Sequence, residues 1–69
     1  MGGMEKAVEA ASLFTRMGGI YYRKGEHEEA MAHYQDAYNV TLEAVGTKNH
    51  PDVASILNFI GIVHQKSHD

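Results

Sequence analysis

Cysteine is absent from the 69-residue chain, which removes any disulfide framework and any zinc site built on thiolates. An excess of positive charge is absent too. Six Lys and Arg stand against nine Asp and Glu, and the net charge of −3 offers no field to draw in a phosphate backbone, so nucleic acid is not an expected partner. No apolar stretch approaches the ~20 residues that span a bilayer, and the amino terminus lacks the charged-then-apolar layout of a signal peptide. Gly2 follows Met1 as in a myristoylation signal, yet Lys6 stands where that signal needs Ser or Thr. The resulting expectations are no membrane partner and a cytoplasmic location. There is no glycine-rich phosphate loop, no His-Glu-x-x-His and no nucleophile signature, so neither an enzyme nor a cofactor is expected.

What is present is helical periodicity with clear punctuation. Val8, Ala11, Phe14, Met17, Ile20 and Tyr21 recur at three- and four-residue steps, which predicts a first helix over about residues 4–24, after a flexible start at 1–3. Arg23 and Lys24 followed by Gly25 form a helix-end signal: the cations suit the negative pole and glycine accepts a left-handed backbone. Glu26, Glu28 and Glu29 then sit where acids favour a helix start, and Ala30, Tyr34, Ala37, Val40, Leu42 and Val45 predict a second helix over 27–45. The polar break 46–50 leads into Pro51, the single proline, whose missing N–H costs nothing at a first helical position, and a third helix runs over 51–66. A short first connection makes helices one and two an antiparallel hairpin. The expected fold is all-α: one domain over 1–69, a hairpin with a third helix packed back across it. A chain this short buries only roughly 60% of its unfolded surface, so its core is small.

The spacing resembles the tetratricopeptide repeat, whose pattern W-x2-L-G-x2-Y is followed by A-x3-F and a further Ala. Phe14 stands at the Trp position, Met17 at Leu, Gly18 at Gly, Tyr21 at Tyr, Gly25 at the turn, Ala30 at the small residue, Tyr34 at Phe and Ala37 at the last Ala. Gly18 and Ala30 are small where helices approach closely, and the aromatic residues fill the space beside them. The continuation His50-Pro51-Asp52-Val53-Ala54, then Leu57-Asn58, looks like the long-period variant of kinesin light chains. Leu57, Ile60, Gly61 and His64 fall 43 residues after Phe14, Met17, Gly18 and Tyr21, against about 34 for the ordinary repeat.

The resemblance implies a protein-binding module of a scaffold or adaptor, with a peptide groove lined by first helices. Carried over position by position, the groove residues are Ser12, Thr15, Gly19, Tyr22 and Arg23, then Ser55, Asn58, Ile62, Gln65 and Lys66. Of these, Thr15, Tyr22, Arg23, Asn58, Gln65 and Lys66 are the expected peptide contacts. Asn58 can donate to and accept from an extended backbone, and otherwise reads as a solvated helix residue. Arg23 and Lys66 would meet acidic groups, or simply complement helix ends. Tyr22 offers a flat amphipathic contact, whereas Tyr21 is assigned to the core.

Repeats of this type bury their faces against neighbours, so helix three is expected to leave an open edge of Val53, Ile56, Ile60 and Val63 that drives homo-oligomerisation. That alternative is a self-assembling structural module. His64 and His68 share one helical face and invite a metal reading, but no third ligand is legible, and no metal is expected. His27, His33 and His50 read as exposed residues, the last at the start of helix three. Glu26, Glu28 and Glu29 read as a solvated face, with a dock for a basic partner as the other option.

Overall fold

The computed structural model describes residues 3–67. They form three helices: α1 (Gly3–Arg23), α2 (His27–Val45) and α3 (Pro51–Ser67). The all-α hairpin with a third helix is therefore as expected. Helix α1 begins at Gly3, one residue inside the expected loose start; Met1 and Gly2 lie outside the described residues. None of these helices is long and apolar enough to cross a membrane.

Each helix end has a local cause. Gly25 adopts φ +80°, its N–H donates to the Tyr22 carbonyl (3.0 Å) and the Glu26 N–H to the Tyr21 carbonyl (2.9 Å), the bond pair that closes a helix on a left-handed glycine. Gly46 (φ 74°, ψ 8°) ends α2 through a single bond to the Leu42 carbonyl at 2.8 Å. At the start of α3 the Asp52 N–H donates to Nδ1 of His50 (3.1 Å), and the Ala54 N–H to the His50 carbonyl (3.1 Å). His50 thus serves as the cap, with Pro51 in the first helical position. An accepting Nδ1 requires a neutral ring protonated at Nε2.

Helix α2 lies in the middle and packs on both others, while α1 and α3 touch each other little. The Cα trace measures 43 × 21 × 13 Å, a slab about one helix thick in its shortest direction. Ala30, Tyr34, Ala37 and Thr41, at i, i+4, i+7 and i+11, are the buried stripe of α2. Val53, Ile56 and Val63 cover it from α3; Val53 is 0% exposed. Full burial of such a valine contributes about 1.5–3 kcal/mol.

Two expectations about faces change here. Val53, Ile56 and Val63 do not form an open edge, because α2 covers them; of the four expected edge residues only Ile60 is partly exposed. The exposed large apolar groups of α3 are Leu57, Phe59 and Ile62. On α1, Val8, Met17 and Ile20, read as part of the inward face, are exposed, Ile20 by 55%. Leu13, Met17 and Ile20 share a stripe that points away from α2. A slab of this thickness has no further layer to cover it.

Candidate binding groove

Tyr34 is the residue that connects all three helices. From α2 it reaches α1, where a Cβ added to Gly18 would lie 2.7 Å from two of its ring atoms and 2.9 Å from a third. The small residue expected at position 18 is thus needed for an aromatic ring rather than for a neighbouring backbone. On the α3 side Tyr34 stacks on Phe59, with ring centroids 5.4 Å apart and planes at 13°. Burial raises the Tyr34 phenol above its ordinary value of 10.0, and nearby Tyr22 adds to this while Arg23 opposes it.

Between α1 and α3, with α2 as floor, runs a cavity of about 330 Å³. Val8, Ala11, Ser12, Thr15 and Arg16 form its α1 wall, and Asp52, Ser55, Ile56 and Phe59 its α3 wall. Thr41, Ala44 and Val45 lie beneath. The Thr15 hydroxyl donates to the Ala11 carbonyl at 2.8 Å, so its hydrogen is already committed within α1.

Of the six expected peptide contacts, the cavity takes in Thr15; Ser12 and Ser55, its groove neighbours in the repeat pattern, also line it. Tyr22 packs instead against the Ala30, Tyr34 and Val63 cluster and meets the His27 ring at 5.9 Å. Arg23, Asn58, Gln65 and Lys66 are exposed and do not line the cavity. Phe59, Arg16 and Asp52 were not singled out by sequence. The signal for Phe59 was its place four residues after Ser55, which puts both on the helical face that lines the cavity.

The remaining histidines have structural settings. His33 stacks on Tyr21 (5.0 Å, 24°) and its Nδ1 lies 2.8 Å from the Glu29 carbonyl. Lys24 places its Nζ 5.8 Å from the centre of the Tyr21 ring and 3.7 Å from Glu26. Tyr21 therefore belongs to a half-buried aromatic cluster at the hairpin base. His64, expected in the core by analogy with Tyr21, is exposed, and His68 lies outside the described residues. Among the described residues no three His, Asp or Glu side chains converge on a metal position.

A paired helix with glycine and aromatic residues interlocked, followed by a third helix in register, is the geometry that the repeat pattern implied, and the profile of the Tetratricopeptide repeat family matches residues 9–69. The chain belongs to the tetratricopeptide repeat family. Neither a curated protein nor a solved structure matches it. Tetratricopeptide repeats are typically non-catalytic protein–protein interaction modules, and membership suggests such a module here.

Proposed function

We propose that this tetratricopeptide-repeat chain binds an extended peptide in the α1/α3 groove, as part of a cytoplasmic scaffold or adaptor of the kinesin-light-chain type. The observation that carries this reading is the cavity of about 330 Å³ between two parallel first helices, with Thr15 on one wall and Ser55 on the other. A peptide crossing there would continue along the exposed rim past Asn58 toward Arg23, Gln65 and Lys66. These side chains lie toward the carboxyl ends of α1 and α3, which share one end of the slab. Tyr22 acts from beneath, as the packed support of that end.

The test is selection of binders from a random heptapeptide phage library on the immobilised chain, repeated with Ser55→Phe. Ser55 is exposed on the cavity wall, so the larger ring fills the groove without entering the core. Selected peptides should lose most of their affinity for this variant while its helicity stays unchanged. Retained affinity would locate binding elsewhere.

A second reading, self-assembly, is favoured by the apolar groups that face water: Leu57 and Ile62 on α3, and Leu13, Met17 and Ile20 on α1. Sedimentation across a wide concentration range separates the two, because a monomer that binds the selected peptides needs no second copy.

A further inference from the structure

We infer, resting on the peptide-groove reading above, that the groove selects its peptide by one large apolar side chain flanked by an acidic residue and a basic residue. The cavity stands at the low end of the roughly 300–1,000 Å³ seen for small-molecule pockets, room for one or two side chains rather than a larger ligand. Its lining is chiefly apolar, with Val8, Ala11, Val45, Ile56 and Phe59 contributing carbon surface. The Thr15 hydroxyl hydrogen is spent on the Ala11 carbonyl and is not free to donate to a ligand. Ser12, Thr41 and Ser55 add hydroxyls to the lining, but each wall and the floor also carry carbon surface, so a large apolar side chain gains more there than a polar anchor that trades water for a few hydroxyls.

Charge enters only at the walls, and with opposite signs. Arg16 on the α1 wall has no ion pair among the described residues. Asp52 on the α3 wall lies 3.8 Å from Nδ1 of His50, but that nitrogen accepts the Asp52 N–H, so the contact, which is also open to water, is not an ion pair. A guanidinium with no carboxylate partner favours an acidic residue on its side, and an exposed carboxylate favours a basic one across the groove. In an extended peptide, residues two before and two after the anchor point to the same face as the anchor. The fitting segment thus has the form acidic-x-apolar-x-basic, or the same charges in reverse order.

The experiment uses the ¹⁵N-labelled full chain and acetylated, amidated heptapeptides. The reference is Gly-Glu-Gly-Phe-Gly-Lys-Gly; one analogue replaces Phe by Ser, and another replaces Glu and Lys by Gln. The reference peptide should move the amide signals of Thr15, Ser55 and Phe59, and the Ser analogue should bind at least about tenfold more weakly. The Gln analogue, and the reference peptide on Arg16→Glu, should each lose about threefold or more, with helicity unchanged. Equal binding of reference and Gln analogue, or of Phe and Ser peptides, overturns the inference. If library peptides remain sensitive to Ser55→Phe while charge and anchor make no difference, the groove reading survives and this specificity fails. If no peptide of either kind moves the groove signals, both fail.

Discussion

Gly18 and Gly61 occupy the same position of the repeat pattern, yet the structure predicts that replacing each by alanine shifts stability in opposite directions. Alanine in a helix interior is worth roughly 0.5–1 kcal/mol over glycine, because less backbone entropy is lost on folding. At Gly61 nothing lies within 4 Å of the added Cβ, so this gain is kept whole. At Gly18 the methyl would come within 2.7 Å of the Tyr34 ring, and that ring is 4% exposed and stacked on Phe59, with little room to swing aside. Overpacking of this kind costs about 1–3 kcal/mol, which exceeds the helical gain. Gly18→Ala should therefore lose on the order of 1–2 kcal/mol net and lower Tm by about 4–16 °C, whereas Gly61→Ala should raise it by about 2–8 °C. Thermal unfolding followed by circular dichroism at one fixed chain concentration measures both. Adding Gly18→Ala to Tyr34→Leu should cost little beyond Tyr34→Leu alone, since the clash is with the ring. A Gly18→Ala protein as stable as the parent, or a destabilised Gly61→Ala protein, would refute the packing argument.

Two further outcomes follow from the faces and the buried phenol. Val63→Asp places an unpaired charge in the α2/α3 contact and should abolish helicity at every concentration, whereas Leu57→Gln should keep helicity and lower any sedimenting mass above the monomer; the reverse pattern would return Val63 to an exposed edge. The Tyr34 phenol is raised by burial, so the folded state favours its neutral form. Its contribution is complete below the ordinary value of 10.0 and is lost as pH climbs through the raised folded value. Tyr34→Phe should match the parent near neutrality and lose less stability above pH 10, as read from urea midpoints across that range.

The helices, their order and their ends were legible because their causes are local. A left-handed glycine at 25 or 46, acids at the start of α2, and His50-Pro51 ahead of α3 act over a few residues, so the chain alone determines them. Family membership was legible for a related reason: glycine and aromatic residues at fixed spacing are the trace of one interlocking contact, Gly18 with Tyr34. Periodicity, however, says that a helix has an apolar face without saying which neighbour covers it. Tertiary packing put α2 in the middle, and that choice buried Val53, Ile56 and Val63 while leaving Met17, Ile20 and Leu57 to water. It also opened the cavity between α1 and α3 and turned Phe59 into one of its walls, because residues far apart in sequence line a groove only once the third helix has chosen its side of α2.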